Sequence, residues 1–162
     1  MKLGELCTRL DVPYRHARYA LEEGILPKDA AAGPGRGEHR DLDFAQAFWL
    51  GIVLKLKSSG VKTPMAGQIA DYAREAVPTM ARNLGWDYLF DPFGGKFDTD
   101  EQWYIDIGDL TYIRVATTAN PSSQGLHEER WSYIAKRRAA PDAAPVVIIR
   151  VNINRLAAML GG

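Results

Sequence analysis

Two arginines three positions apart, Arg15 and Arg18, lie in the stretch VPYRHARYALEEGIL, residues 12–26. If this stretch is helical, the spacing places both guanidinium groups on one face. The planar fork of arginine can donate paired hydrogen bonds to a phosphate group or to O6 and N7 of guanine. Tyr14 and His16 flank the arginines and offer further donors. The stretch therefore has side chains suited to nucleic acid, although the same charge spacing also occurs on ordinary solvated helices.

The elements around the two arginines form a helix-turn-helix pattern. A first helix over residues 2–10 is predicted from apolar residues at helical spacing, namely Leu3, Leu6, Cys7 and Leu10. Pro13 suits the first turn of a second helix over residues 13–23, and Gly24 suits its end. Two short helices joined by a tight turn are typical of this motif.

A stretch rich in glycine and proline follows the second helix, and a hairpin is predicted for it. Arg36, His39 and Arg40 lie there, a set suited to the minor groove or the DNA backbone. A capping box is then predicted at the start of an apolar helix over residues 44–58, formed by Asp43 and Gln46. A further helix begins near Pro64 and extends to about residue 76, where Pro78 is expected to break it before a second start toward Leu84.

The order of these segments resembles the DNA-binding domain of the MerR family of transcriptional regulators, over about residues 3–60. The resemblance is carried by residues of the first two helices and their exit: Leu3, Gly4, Glu5, Leu6, Val12, Arg15, Arg18, Tyr19, Gly24, Ile25, Leu26 and Pro27. The stretch GRGEHRDLDFAQAFWLGIVLKLKSSGV is similar to the family's wing and third helix, with Arg40 at the position of the wing arginine and Asp43 at the helix cap.

This resemblance implies a winged helix-turn-helix that binds double-stranded DNA as a homodimer. The second helix, 13–23, would enter the major groove, and the basic glycine-rich wing, 28–42, would contact DNA beside it. The expected DNA-binding residues are Tyr14, Arg15, His16, Arg18, Tyr19, Arg36, His39 and Arg40. Metal-sensing members of the family carry cysteines after the dimerisation helix, and this chain has none there, so no metal or other cofactor is expected.

The second half of the chain changes to β-type patterns. Residues 102–118 predict a hairpin around Gly108 and Asp109, and residues 130–138 and 145–153 predict two more strands. Four strands in meander order would form a small antiparallel sheet, closed by a short C-terminal helix. Five aromatic residues in these strands either pair across strands or line a pocket or protein interface: Trp103, Tyr104, Tyr112, Trp131 and Tyr133. One predicted strand is basic. Its cations either protect an edge of the sheet or make an auxiliary phosphate contact: Arg130, Lys136, Arg137 and Arg138.

The fold class expected from these patterns is α+β, with an N-terminal MerR-like winged helix-turn-helix followed by a small C-terminal domain with an antiparallel sheet. Residues 1–62 would form the DNA-binding domain and residues 63–90 a connecting helical segment. Residues 91–162 would form a β-rich domain for dimerisation or for binding a small molecule or a protein partner.

Composition limits the function classes. The 162 residues carry 20 basic and 20 acidic side chains, so a DNA-binding surface must be a local patch. One cysteine excludes an internal disulfide. No catalytic motif for a serine hydrolase, a P-loop, a dinucleotide site or a zinc protease is present, so an enzyme is not expected. Neither a signal peptide nor an apolar run long enough for a membrane span is visible, which predicts a cytoplasmic, nucleoid-associated protein without a membrane partner.

Three functions remain open at this point. The first is a sequence-specific transcriptional regulator. The second is an architectural DNA-bending protein akin to phage excisionases, which share the winged fold. The third is a protein-interaction adaptor that retains the fold without binding DNA, a reading favoured by the zero net charge and by Glu38 in the wing.

Overall fold

A computed structural model describes residues 1–23, 41–85, 101–118 and 126–161 of the protein. Within these ranges, five α-helices and six β-strands form an α+β fold, with helices in the N-terminal part and an antiparallel sheet in the C-terminal part. Two compact units are present: Met1–Asp71 together with Ala157–Gly162, and Tyr72–Leu156. The α+β class and the antiparallel sheet expected from the sequence are therefore confirmed.

The first two helices form as the sequence predicts. Helix α1, Leu3–Leu10, buries the four apolar side chains that recur at helical spacing. Asp11 ends it in the left-handed conformation at φ 52°, and its backbone N–H donates to the carbonyl of Thr8. Helix α2, Tyr14–Glu22, begins directly after Pro13, whose fixed φ suits a helix entrance.

Helix α3, Phe44–Ser58, runs through the core of the first unit. Its start is the predicted capping box: the backbone N–H of Gln46 donates to Asp43 Oδ1 at 2.7 Å, and the backbone N–H of Asp43 donates to Gln46 Oε1 at 3.0 Å. Large apolar side chains on several sides of the helix are fully buried: Phe48, Leu50, Ile52, Leu54 and Leu56. A helix that is apolar on most sides is an interior helix, against which its neighbours pack.

Helix α4, Thr63–Asn83, corrects the prediction of a break at Pro78. The helix is continuous through this proline. Proline has no N–H to bond the carbonyl four residues earlier, so the helix loses one hydrogen bond there. Val77 and Ala81 are fully buried and Met80 nearly so, and this packing on both sides of Pro78 keeps the helix intact. Helix α5, Ile153–Gly161, is the predicted C-terminal helix.

The sheet contains β1, Trp103–Gly108, β2, Tyr112–Thr117, β3, His127–Glu128, β4, Ser132–Tyr133, β5, Arg138–Ala139, and β6, Ile148–Asn152. Its order is β5-β4-β2-β1-β6, and β3 also pairs with β2. The predicted hairpin of β1 and β2 is confirmed, but the meander is wrong, because β6 returns to pair with β1. The single strand predicted over residues 130–138 is also wrong: β4 and β5 form a small hairpin, and residues 134–137 turn between them.

The predicted turn at Gly108 and Asp109 lies one residue later than expected. Gly108 is the last residue of β1 and pairs with Tyr112, so the turn consists of residues 109–111. A Cβ atom on Gly108 would lie only 2.7 Å from the Cβ of Pro145 and 3.2 Å from the ring of Trp131. The glycine is therefore needed for close approach of the chain to the sheet rather than for the turn.

The two faces of the sheet have opposite chemistry, because alternate residues of a strand point to opposite faces. One face of the β1–β2 pair is apolar and buried: Trp103, Ile105, Ile107, Ile113 and Val115. On the other face, Asp106 lies directly between Arg114 of β2 and Arg150 of β6. Asp106 is fully buried, and the guanidinium groups of both arginines donate to it.

Candidate nucleic-acid interface

The outer face of α2 is built by burying two small residues. Ala17 and Ala20 are fully buried, and they seat the helix with little side-chain bulk. The four residues that flank these positions on the opposite side are exposed: Tyr14, Arg15, Arg18 and Tyr19. Tyr14 is 53% exposed and Tyr19 is 45% exposed. We call these four residues the α2 face.

The two arginines of the α2 face differ in their contacts. Arg18 donates from Nε to Glu22 Oε1 at 2.8 Å, one helical turn away. Both side chains are mostly exposed, so this ion pair is weak and exchanges readily for another anion. Arg15 forms no ion pair within the described residues. The face therefore presents one guanidinium without an acid and one held only by a weak surface pair.

His16 is placed differently from its neighbours. His16 is half-buried, and its Nδ1 atom is buried without a hydrogen-bond partner among the described residues. Only the Nε2 side of the ring is then suited to an outside contact. The predicted role of His16 in DNA binding stays a prediction, and the inward Nδ1 makes His16 partly a packing residue.

A shallow groove of about 390 Å³ continues the cationic surface beyond Tyr19. Two lysines line it: Lys57 at the end of α3 and Lys62 just before α4. Lys57 Nζ lies 4.8 Å from the centre of the Tyr19 ring, and it donates to Thr63 Oγ1 at 2.6 Å. Lys62 is exposed. We call this feature the lysine groove, and with Tyr19 in common it adjoins the α2 face.

The lysine groove was not predicted from the sequence, because neither Lys57 nor Lys62 was a candidate DNA-binding residue there. The available signal was the SSG turn that brings Lys62 back beside Lys57. The approach of both lysines to Tyr19 depends on the packing of α2 against α3, which local sequence patterns do not specify.

Backbone contacts hold the start of the first unit in place. The N-terminal ammonium donates to the carbonyl of Leu42 at 2.8 Å, and the N–H of Leu42 donates to the carbonyl of Met1 at 2.7 Å. Lys2 and Asp41 form an antiparallel bridge beside them. Lys55 Nζ also donates to the carbonyl of Leu10 at 2.6 Å, which satisfies the end of α1. These contacts fix both α1 and the residues that lead into α3.

The remaining predicted contacts cannot be assigned a position. Arg36, His39 and Arg40, together with Gly24 at the expected end of α2 and Glu38, lie outside the described residues. Their roles stay predictions.

The aromatic and basic residues of the second unit mostly contact their own sheet. Trp103 and Trp131 are buried, and Tyr112 and Tyr133 form the predicted cross-strand pair, with ring centres 5.1 Å apart. Lys136 Nζ lies 5.2 Å from the centre of the Tyr133 ring. Arg137 forms an ion pair with Glu75 and lies against the ring of Tyr72. Lys136 and Arg137 thus have contacts within the second unit, and the alternative of an auxiliary phosphate contact stays a prediction.

No group of three or more His, Cys, Asp or Glu side chains suited to a metal ion occurs in the portion of the chain that the structure describes. In the same portion, none of the helices combines the length and apolar character needed to cross a membrane. Burial raises the pKa of the Cys7 thiol, so this side chain is a packing residue of α1 rather than a nucleophile.

No protein-family model matches the chain, and no curated protein is significantly similar to it.

Proposed function

We propose that the protein is a sequence-specific DNA-binding transcriptional regulator, with a MerR-like winged helix-turn-helix in which α2 is the recognition helix. The observation that carries this proposal is the α2 face: a short helix seated on two alanines that turns two arginines and two tyrosines to solvent. An α-helix with its side chains is about 10–12 Å across, which fits the B-DNA major groove of about 12 Å width.

The order of residues along α2 suits this role. Recognition helices contact base edges with their N-terminal residues, and other side chains hold phosphates. Tyr14 and Arg15 are the first two residues of α2, so they are proposed to reach base edges. Arg18 and Tyr19, one turn further, and the two lysines of the lysine groove are proposed to contact phosphates. Arg36, His39 and Arg40 belong to the proposal as contacts of the wing.

Salt dependence of DNA binding tests this function. A fluorescein-labelled pool of duplexes with a randomised centre is first enriched for bound sequences, and affinity is then measured by fluorescence anisotropy at several salt concentrations. We expect Lys57→Ala and Lys62→Ala each to reduce the slope of log K against log salt by about 1, whichever sequence is bound. We expect Arg15→Ala to cost about 1–3 kcal/mol and to relax the choice of base.

Arg155→Ala is the matched control. Arg155 is exposed on α5 and belongs to neither the α2 face nor the lysine groove. The substitution removes the same charge, so its effect on DNA binding should be small. If the selection yields no preferred sequence but the bound duplexes are strongly bent, the architectural function would be indicated instead. The absence of binding to any duplex at low salt would contradict both DNA-binding functions and leave the adaptor.

A further inference from the structure

The edge strand β6 directs hydrogen-bonding groups away from the sheet. Among the described residues, β6 pairs with β1 and with no other strand. The N–H of Asp109 donates to the carbonyl of Val147 at 2.8 Å, which continues the β1–β6 ladder by one residue. Backbone groups of an antiparallel strand face its partner at every second residue. The backbone groups of Ile148, Arg150 and Asn152 therefore face away from β1.

The two residues before β6 and the first residue of β6 are apolar and exposed. Val146 is 91% exposed, Val147 is 61% exposed and Ile148 is 44% exposed. The carboxylate of Asp109 fixes this segment, because Oδ1 accepts from the N–H of Val147 at 2.9 Å and Oδ2 accepts from the N–H of Val146 at 3.1 Å. These hydrogen bonds from the backbone to Asp109 thus hold the apolar side chains in solvent. Such a patch beside an open edge is typical of an interaction surface.

This edge lacks the usual protection against pairing with another strand. Natural edge strands carry free charges, proline or bulges that prevent such pairing. Within Ile148–Asn152 the one charged residue is Arg150. Its Nε and Nη2 donate to the buried Asp106 at 2.7 and 2.8 Å, so its charge is already compensated.

We propose that β6 and the preceding Val146 and Val147 pair antiparallel with the same segment of a second copy of this chain, which makes the protein a homodimer with a sheet continuous across the two-fold axis. The chain matches itself here because Val146, Val147 and Ile148 are uncharged and apolar, so they can pack against the same side chains of a second copy. The zero formal net charge adds no overall repulsion between copies.

Charge and parity select the register of this pairing. Outward-facing residues must pair with outward-facing residues, so the two-fold axis passes through a residue rather than between two residues. An axis at Arg150 would oppose two arginines, which is unfavourable across strands. An axis at Ile148 pairs Ile148 with its own mate and brings Val147 and Val146 beside Ile149 and Arg150 of the partner subunit. The N–H of Val146 is held by Asp109, so the backbone pairing centres on Ile148. This register covers the most exposed apolar side chains and separates the arginines.

The contact area implies a concentration-dependent dimer. Stable interfaces bury about 800 Å² on each partner. One strand edge and three partly exposed side chains supply less than this, so the dimer should dissociate on dilution. The interface does not depend on DNA, so its test needs none.

Sedimentation velocity of the full chain over a wide range of concentrations tests the interface. We expect a reversible monomer–dimer equilibrium. Val146→Arg should raise the dissociation constant at least about tenfold, because it opposes Arg150 of the partner subunit. Val146→Glu removes the same apolar side chain but brings an acid to Arg150, so it should weaken the dimer clearly less. Val146 is almost fully exposed, so neither substitution should affect folding.

Leu126→Arg is the control. Leu126 is also an exposed apolar residue, and by register it lies near Thr118, at the opposite end of the sheet from Gly108 and Ile148. This substitution should leave the dissociation constant unchanged. A chain that stays monomeric at all concentrations, or a dimer that Val146→Arg leaves intact, would overturn the proposal.

Disulfide formation tests the register directly. Under oxidising conditions, Ile148→Cys should link two copies through a disulfide, whereas Leu126→Cys should not. The native Cys7 does not compete, because it is buried and burial raises the pKa of its thiol. Equal cross-linking of both variants would contradict the two-fold axis at Ile148.

Discussion

Asp106 is the residue that joins three strands of the sheet on its polar face. Its carboxylate accepts from Arg114 Nε at 3.1 Å, from Arg150 Nε at 2.7 Å and from Arg150 Nη2 at 2.8 Å. Arg114 also donates two bonds to Glu128, and its guanidinium lies 4.1 Å from the centre of the Trp131 ring. The hydrogen bonds to Asp106 also raise the pKa of Arg150. Each buried charge thus has a partner, as burial requires.

Replacement of Asp106 should be strongly destabilising. Asp106→Asn keeps the shape of the side chain but turns an N–H group toward one of the arginines and removes the compensating charge. Breaking one partner of a buried ion pair costs about 3–5 kcal/mol in the free energy of unfolding, measurable by chemical denaturation. Glu128→Gln is the control: the side chain of Glu128 is 42% exposed, so its loss of charge should cost at most about 1 kcal/mol. Equal effects of the two substitutions would contradict a central role for Asp106.

Helix α4 shows at the element scale how packing overrides a local breaker. Pro78 is half-buried and lies between the buried Val77 and Met80. Its missing N–H leaves one carbonyl of the previous turn without its helical bond. The helix continues because apolar side chains on either side of the proline remain in the core.

Pro78→Ala should therefore stabilise the protein. Alanine restores the missing hydrogen bond and removes the steric conflict of the ring, and proline in a helix interior is about 3 kcal/mol less favourable than alanine. We expect the free energy of unfolding to rise by about 1–3 kcal/mol, measured by chemical denaturation. Thr79→Ala, at the exposed next residue, should have a smaller effect. A loss of stability in Pro78→Ala would mean that packing of the proline ring outweighs the lost hydrogen bond.

Elements that rest on local signals were predictable from the sequence. The start of α3 depends on Asp43 and Gln46, which lie only three positions apart. The apolar spacing that forms α1 likewise needs no distant contact. The α2 face followed from the three-residue spacing of Arg15 and Arg18 in the same way. Each of these features depends on neighbours within about one or two helical turns.

Elements that rest on distant contacts were not predictable. The pairing of β6 with β1 joins residues 40 to 48 positions apart. The turn between β4 and β5 places Arg137 at φ 48°, and no glycine or asparagine in that stretch signals it. The lysine groove likewise needs α3 to bring Lys57 to Tyr19.

At the scale of the whole molecule, a neutral chain that binds DNA as proposed must concentrate its contacts. With 20 basic and 20 acidic residues, long-range attraction to DNA is weak, so affinity must come from a small cationic surface such as the α2 face and the lysine groove. The proposed recognition helix is short and would offer few base contacts. Two copies joined through β6 would double them, and linking two binding modules raises the effective concentration of the second.

The two proposals together predict that DNA affinity depends on dimerisation. The wild-type chain should bind an inverted repeat of its enriched sequence, with half-sites about one helical turn of DNA apart or a multiple of this, more tightly than a single half-site. Val146→Arg should remove this advantage and leave half-site affinity unchanged, whereas Arg15→Ala should weaken both. Fluorescence anisotropy with the two duplexes, at protein concentrations above and below the dimer dissociation constant, measures the difference. Equal affinity of the wild type for both duplexes would separate DNA binding from strand pairing, because the dimer would then serve a purpose other than reading a two-fold site.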